Sequence, residues 1–286
     1  MTSAYELHMP ATAREAIDLL ARHGEDAHLM AGGTSLVLMM QQGLIRPTHV
    51  VSLHKVEELR GIRRAPDGSL EIGALTTHRE IERSPLVRAH CAMLTEAFAR
   101  IATVRIRGQA TLGGNLAHAD PAQDPPPALI AVGAMVLIQG QGSAREIPIE
   151  DLSVDIFTTS LAPGELIVGV RIPPLTAGTR AAYLKFLPRT EDDYATVSVA
   201  VAAVVAADGT VRHLRIALGA VGSTPIRARA AEAALLGLKA DELRIKAAAV
   251  RAAEATDPID DGRGSAGYKR SMARVFTERA LRAVIA

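Results

Sequence analysis

Two glycine-rich segments are the residues of this chain best suited to chemistry. They read AGGTS at 31–35 and TLGGN at 111–115. Backbone N–H groups in such loops form a concave site for anions, and a helix that begins behind the loop adds the positive end of its dipole. The hydroxyls of Thr34, Ser35 and Thr111 add further hydrogen-bond donors. Pyrophosphate is the ligand that this arrangement suits best.

Each glycine pair also has a purely structural interpretation, because paired glycines supply positive φ at turns. Taken one at a time, the loops favour that interpretation. The context of the first loop favours a ligand, since HLMA before it is typical of a short buried strand and SLVLMMQQG after it of an apolar helix that ends at Gly43. Neither loop has the GxGxxG pattern of dinucleotide-binding turns, which disfavours a Rossmann domain.

Composition excludes several classes of function. The 286 residues include 32 Lys and Arg against 31 Asp and Glu, so no excess charge recruits nucleic acid or an anionic membrane surface. The absence of Trp, with only four Tyr and four Phe, argues against a base-stacking platform. The single cysteine, Cys91, excludes an intrachain disulfide framework and an iron–sulfur cluster held by this chain alone.

The same sequence features predict location and metal content. One cysteine indicates a reducing cytoplasm. The N-terminal segment has no continuous apolar region, so we expect no signal peptide, and no stretch approaches the length of a membrane span. The nine histidines are scattered without metal-ligand spacing, so we expect no metal site in this chain.

Periodicity predicts an α+β fold. Thr12 and Glu15 indicate a capping box for a first helix that Gly24 ends, and strands are expected near 61–64 and 69–72 around a turn at 66–68. Two helical patterns, separated by a break at Ser84 and Pro85, occupy 77–102, and a further helix begins near Pro127. A strand pattern at 165–174 stops at paired prolines, where we place a domain boundary.

Beyond that boundary the pattern predicts a smaller domain. Three strands are expected within 180–222, the last two joined by a hairpin turn at Asp208 and Gly209, and helices over 225–237, 241–255 and 265–286. The predicted organisation is therefore an N-terminal region at 1–175, with lobes at about 1–55 and 56–175, and a C-terminal domain at 176–286 with a three-stranded antiparallel sheet and helices.

Four segments in this order and spacing resemble a known family: AGGTS, TLGGNLAHADPAQDPPPAL, TSLAPGELI and YLKFLPRTEDDYATV. The chain is similar to the flavin-carrying medium subunits of the molybdenum hydroxylases, the family of bacterial carbon monoxide dehydrogenase and xanthine dehydrogenase. The second segment is the most specific, and the resemblance covers nearly the whole chain. It implies that residues 1–175 are a two-lobed α/β region that binds FAD non-covalently.

The resemblance also implies the cofactor contacts. From the two loops they are Ala31, Gly32, Gly33, Thr34, Ser35, Thr111, Gly113, Gly114 and Asn115. Outside the loops they are His118, Asp124, Leu161, Lys185 and Tyr194. No catalytic residue and no metal ligand is implied in this chain.

Each position outside the loops has an implied role and a structural alternative. Asp124 would hydrogen-bond the ribityl chain or would cap the turn before Pro125. Lys185 would stabilise the reduced flavin as a nearby cation or would face water from a strand. Tyr194 would lie against the isoalloxazine ring or belong to a solvated loop. Leu161 would contact the cofactor or pack in the core, and His118 would touch the cofactor or remain a polar surface residue.

By the same resemblance the chain is an electron-transfer subunit. It would accept electrons from a small [2Fe–2S] subunit, served by a large subunit with the molybdenum cofactor, and pass them to a terminal acceptor. The implied assembly is a dimer of heterotrimers, with both metal cofactors only in the partners. Two other readings stay open: a self-sufficient FAD oxidoreductase of the same two-lobe fold, and a nucleotide-binding module without redox activity. The sequence names neither substrate nor acceptor.

Overall fold

A computed structural model describes residues 5–188, 190 and 193–285. Arg189, Glu191 and Asp192, in the segment YLKFLPRTEDDYATV, lie outside the described residues.

The first structural unit is a small parallel sheet with two helices. The elements of this unit are β1 (Glu6–His8), α1 (Ala13–His23), β2 (Ala27–Met30), α2 (Leu36–Gln41) and β3 (His49–Ser52). The strands lie in the order β1-β3-β2, and both pairs are parallel.

The predicted first helix is present, with a cap that differs by one residue from the prediction. The Thr12 hydroxyl accepts the N–H of Glu15 at 3.2 Å, as expected. The Glu15 carboxylate instead accepts the N–H of Ala11, at 2.8 Å. Helix α1 then packs Ala16 and Ile17 against the sheet, where both are fully buried.

The second unit surrounds a five-stranded antiparallel sheet. Its elements are β4 (Ile62–Arg64), β5 (Leu70–Gly73), α3 (His78–Arg83), α4 (Pro85–His90), α5 (Ala92–Ala99), α6 (Val104–Arg107), α7 (Leu112–His118), α8 (Pro125–Ala131), β6 (Met135–Gly140), β7 (Ser143–Pro148), β8 (Ser153–Asp155), β9 (Thr158–Thr159) and β10 (Leu166–Ile172). The strand order in this sheet is β4-β5-β10-β6-β7, and β8 pairs with β9 separately.

One helical stretch of this unit differs from the prediction. Residues 77–102 contain three helices rather than two patterns, because Cys91 adopts an extended backbone between α4 and α5. The predicted break at Ser84 is confirmed. Ser84 caps α4 by accepting the N–H of Val87 at 3.3 Å, and Pro85 begins the helix.

The third unit is an antiparallel sheet covered by helices. Its elements are β11 (Arg180–Phe186), β12 (Val197–Val205), β13 (Val211–Gly219), β14 (Ile226–Arg227), α9 (Arg229–Ala233), α10 (Glu242–Glu254) and α11 (Ala266–Ile285). The predicted hairpin between β12 and β13 is confirmed, with Gly209 at φ +83° and the Asp208 carboxylate accepting the N–H of Thr210 at 3.0 Å.

The helix predicted over 225–237 is shorter than expected. Ile226 and Arg227 form β14, a fourth strand at the edge of the sheet, and the helix begins only at Arg229. Arg227 is fixed by a charged hydrogen bond to Glu232 at 3.0 Å, so this edge is ordered by an ion pair that hydropathy does not reveal.

Helix α8 joins the second and third units. All seven of its residues are buried, and it packs against α5 on one side and against β12 and β13 on the other. No described helix is both long enough and apolar enough to cross a membrane. The mixed α and β architecture, with two N-terminal lobes and a C-terminal antiparallel sheet, agrees with the fold class predicted from the sequence.

One GxGxxG pattern does occur, at Gly262, Gly264 and Gly267. It leads into α11 but follows a loop after α10 rather than a strand. The Tyr268 ring lies against Gly264, where a phosphate would need access. The pattern therefore lacks the preceding strand that a dinucleotide-binding turn requires.

Gly219 tests the packing of α8 on the third sheet. A Cβ at this position would lie 2.7 Å from Cγ of Pro127 and 2.6 Å from the Ser198 hydroxyl. We expect Gly219→Ala to lower the free energy of unfolding by about 1–3 kcal/mol, because overpacking forces the helix away from the sheet. Gly267→Ala is the matched control, since a Cβ there meets open space. Equal urea midpoints for both variants would contradict this packing.

Candidate functional site

A cavity of about 660 Å³ lies where the glycine loops meet the segments before α8 and β10 and the residues at 193–194. Its size lies in the range of cofactor and ligand pockets. Thirteen of the fourteen positions predicted as cofactor contacts line it. The exception is Lys185, whose side chain is buried behind the wall.

The first loop offers free backbone donors. Gly33 has φ +71°, a conformation that favours glycine, and its carbonyl accepts the N–H of Val37 at 3.0 Å as α2 begins. Within the described residues, the N–H groups of Gly32, Gly33 and Thr34 donate no hydrogen bond. These three amides are available to an anion in the cavity.

The second loop differs from the expectation, because its amides are already used. The N–H of Gly113 donates to the Ala74 carbonyl at 2.8 Å, and that of Gly114 to the Thr111 hydroxyl at 3.2 Å. The N–H of Asn115 donates to the Thr111 carbonyl at 2.9 Å. Thr111 and the Ala74 carbonyl therefore occupy the donors that the glycine pattern predicts to be free. The second loop instead contributes the Asn115 side chain and glycines that let a ligand approach its backbone closely.

The two loops are in direct contact. An added Cβ on Gly32 would lie 2.0 Å from the carbonyl oxygen of Gln109, and one on Gly114 would lie 3.6 Å from Cβ of Ala31. A separation of 2.0 Å is far inside van der Waals contact, so only glycine fits at position 32. Because residue 32 has no side chain, the two loops can approach closely enough to line one cavity.

Four residues that line the cavity each have one buried side-chain atom without a hydrogen-bond partner among the described residues. They are Nδ1 of His28, Nδ1 of His78, Oδ1 of Asn115 and Oε1 of Gln123. Each unpaired buried group costs about 1–3 kcal/mol. The cavity is therefore lined by side chains with unused hydrogen-bonding capacity. Burial also lowers the pKa of His78 to about 4, so its ring is neutral at pH 7.

Asp124 is neither a free carboxylate nor a turn cap. One oxygen accepts a short hydrogen bond from the Tyr183 hydroxyl, and the other accepts from Nζ of Lys185 at 2.9 Å. Lys185 also donates to the Arg100 carbonyl at 2.9 Å. Its side chain is 1% exposed, which excludes the alternative of a strand lysine facing water. Burial raises the pKa of Asp124, and the Lys185 ammonium opposes that rise.

Aromatic residues lie at the mouth of the cavity. Tyr194 is 40% exposed, and the Arg263 guanidinium lies 5.5 Å from the centre of its ring. The ring of His118 packs 5.1 Å from that of Phe157, and both residues line the cavity. Burial lowers the pKa of His118. Leu161 lines the cavity and also packs against the main core.

Sequence reasoning missed several wall residues, namely His28, His78, Gln123 and Phe157. Phe157 is one of only four Phe in the chain, and its exposure of 55% and φ of +54° are unusual for a phenylalanine. The scarcity of aromatics is the one signal that favoured it. The others lie in strand β2, at the start of α3 and in the segment before α8, where no distinguishing local pattern marks them.

Comparisons with known proteins agree with this geometry. Residues 3–175 match the model of the FAD binding domain in molybdopterin dehydrogenase, and residues 182–284 match that of the CO dehydrogenase flavoprotein C-terminal domain. The chain belongs to this family of FAD-binding medium subunits. The resemblance inferred from the sequence is thereby confirmed, and so is FAD as the cofactor of the family.

The flavoprotein has relatives of nearly its own length. It is 38% identical to the carbon monoxide dehydrogenase medium chain of Hydrogenophaga pseudoflava, over 98% of this chain and 96% of that one. It is also 38% identical to the 6-hydroxypseudooxynicotine dehydrogenase complex subunit alpha of Paenarthrobacter nicotinovorans, over 94% and 90% of the two chains. These relatives are subunits of oxidoreductases.

Solved structures confirm the fold class. The flavoprotein superposes on a chain of carbon monoxide dehydrogenase from Hydrogenophaga pseudoflava with a TM-score of 0.95 and 39% identity, covering 99% of this chain and 98% of that one. Quinoline 2-oxidoreductase from Pseudomonas putida 86 gives a TM-score of 0.92 at 31% identity, covering 100% and 98%.

The contact between the loops can be tested through FAD affinity. Gly32→Ala places a methyl group on the Gln109 carbonyl, so the loops must separate, and we expect FAD affinity to fall at least about tenfold, or about 1.4 kcal/mol. Gly108→Ala is the matched control, because a Cβ there makes only ordinary contacts of 3.5 Å with the Arg105 and Val104 carbonyls and Gly108 does not line the cavity. Flavin titration of both folded variants measures the difference. Unchanged affinity in Gly32→Ala would show that the loops need not touch.

The buried pair of Asp124 and Lys185 predicts a pH dependence. Lys185→Met leaves the carboxyl buried without its cation, at a cost of about 3–5 kcal/mol at pH 7. Its native pKa then rises further above the unfolded value of about 3.9. Between the two pKa values the native state keeps a proton that the unfolded state releases. The contribution of this carboxyl to the free energy of unfolding is therefore fully present below about pH 4, and it is lost as pH rises through the raised pKa.

Urea unfolding at pH 5 and pH 8 measures this effect. The fall in stability between the two pH values should be larger in Lys185→Met than in the native sequence. The double variant Lys185→Met with Asp124→Asn is the control, since it removes the titrating carboxyl and should remove the added pH dependence. A single variant as stable at pH 8 as at pH 5 would refute the linkage.

Proposed function

We propose that this flavoprotein is the electron-transfer subunit of a molybdenum hydroxylase complex. In this role it accepts electrons from a [2Fe–2S] partner subunit and passes them to a terminal acceptor. Support comes from the subunits of carbon monoxide dehydrogenase, nicotine 6-hydroxylase and xanthine dehydrogenase among its relatives. The observation that carries the proposal is one cavity that both glycine loops line, with three free backbone amides in the first loop.

The residues of the cavity fit FAD in character. The free amides of Gly32, Gly33 and Thr34, with the hydroxyls of Thr34 and Ser35, would hold the pyrophosphate. Ala31, Thr111, Gly113 and Gly114 would let the backbone approach it closely, and Asn115 would add a side-chain amide from the other lobe. When bound, FAD supplies the ability to take up two electrons and release them singly or in a pair.

The remaining predicted residues would orient the rest of the cofactor. Asp124, fixed by Tyr183 and Lys185, would accept hydrogen bonds from the ribityl hydroxyls. Lys185 would act through Asp124, since it does not line the cavity, and would keep a positive charge close behind the wall. Tyr194 would cover the ring system at the mouth, and Leu161 and His118 would bound it on other sides.

The partners follow from what this chain lacks. Its single cysteine, Cys91, is buried, so the iron–sulfur clusters and the molybdenum cofactor would belong to a small and a large subunit. We propose a dimer of such heterotrimers in a reducing cytoplasm. Within the chain we propose an FAD-binding domain at 1–175, with lobes at about 1–55 and 56–175, and a C-terminal domain at 176–286.

Two measurements test the proposal. The flavin-free chain should bind one FAD, which denaturation should release because the attachment is non-covalent. The FAD-loaded chain alone should not oxidise carbon monoxide, purines, aldehydes or nicotine-like heterocycles. Flavin reduction by one of these should occur only in a complex that co-purifies with molybdenum and iron.

Two outcomes would contradict the proposal. A chain that binds no FAD would be a nucleotide-binding module at most. Turnover by the isolated chain with a pyridine nucleotide and an organic substrate would indicate a self-sufficient FAD oxidoreductase.

A further inference from the structure

Three histidines that are far apart in the sequence converge on one face of the N-terminal sheet. His8 is the last residue of β1, His23 the last of α1, and His49 the first of β3. Strands β1 and β3 pair in parallel, with Glu6 directly opposite His49. Because side chains alternate along a strand, Glu6 and His8 lie on the same face of β1. Helix α1 covers this sheet and delivers His23 from its C-terminal end.

The imidazole nitrogens are close enough to share one ion. Nε2 of His8 lies 3.1 Å from Nδ1 of His49. The ring centres of His23 and His49 are 3.8 Å apart, and those of His8 and His23 are 5.1 Å apart. One nitrogen from each ring can be chosen so that all three lie within 4.8 Å of one another. Two nitrogens bound tetrahedrally at about 2.0–2.1 Å from Zn²⁺ are roughly 3.3 Å apart, so small side-chain rotations close the site.

A carboxylate completes the donor set. One oxygen of Glu6 lies 3.7 Å from Nε2 of His8, and the other lies 3.6 Å from Nδ1 of His49. Glu6 is 66% exposed while His8 and His49 are only 15% and 22% exposed. The carboxylate therefore lies on the solvent side of the imidazoles, where it can swing onto an ion as the fourth ligand.

The cluster is separate from the flavin cavity. None of these four residues lines that cavity, so the cofactor does not account for them. Without a metal, the contact between His8 and His49 is one hydrogen bond, and the His23 ring packs against both of theirs. A single hydrogen bond and ring contacts supply little stability by themselves. Three imidazoles and a carboxylate match the ligands that Zn²⁺ takes in proteins.

We propose that His8, His23 and His49, with Glu6, form a Zn²⁺ site in the N-terminal lobe. The ion would cross-link β1, α1 and β3. This lobe carries the first glycine loop on the strand next to β3, so the ion would stabilise the scaffold of that loop without touching the flavin. The scattered spacing that argued against a metal site describes the sequence alone, since the fold brings the ligands together.

The test uses the full chain without a polyhistidine tag, stripped with a chelator and then dialysed against Zn²⁺. We expect one zinc per chain by elemental analysis, and a melting temperature several degrees higher with zinc than without. Titration calorimetry should show affinity reduced at least tenfold in His23→Gln and in His49→Gln, and less in Glu6→Gln. His54→Gln is the matched control, because His54 is an exposed histidine outside the cluster.

Co²⁺ provides a second readout in the flavin-free chain. Tetrahedral Co²⁺ gives visible absorption bands, which should develop with the native sequence and with His54→Gln but not with His23→Gln. If His49→Gln fails to fold, His23→Gln carries the test, since His23 lies at a helix end. Failure of the native chain to retain zinc, or retention with equal affinity by His23→Gln, would overturn the proposal and leave only a histidine cluster without a metal.

Discussion

The close approach of two backbones at Gly32 is the constraint on which the site depends. The carbonyl of Gln109 occupies the space where any side chain at position 32 would begin. Because of this contact, the loop after β2 and the loop before α7 form one wall. The second loop is tied in turn to its own lobe by the bridge between Thr77 and Thr111. The second loop, whose amides are already hydrogen-bonded, thus contacts the first loop, whose amides are free. An anion bound there would lie close to both backbones and accept hydrogen bonds from the first.

The two loops have similar sequences but differ in the hydrogen bonding of their amides. The amides of the first loop are free, whereas those of the second donate to Thr111, which caps α7, and to the Ala74 carbonyl. The third unit contributes through Tyr183 and Lys185, which reach from β11 to fix Asp124. A carboxylate buried at this depth is stable only with such partners. The site therefore needs all three units, even though most of its lining belongs to the first two.

Much of the fold could be predicted from local signals. The cap at Thr12, the break at Ser84 and the hairpin at Asp208 and Gly209 each rest on interactions within a few residues. Other features depend on residues that are distant in the sequence. Ile226 is in a strand rather than the predicted helix because β13 pairs with it. The Lys185 side chain is buried because its partner Asp124 lies on another element.

The sequence by itself determined the two glycine loops, the element order and the resemblance that named the cofactor, because these depend on residue type and short-range spacing. The tertiary structure decided which amides remain free, that Lys185 acts through Asp124, and that His8, His23 and His49 meet. Whether a donor stays free depends on which acceptors lie near it in space, and the position of a buried charge depends on where its partner lies. Spacing along the chain does not give these positions, because they depend on which elements pack together.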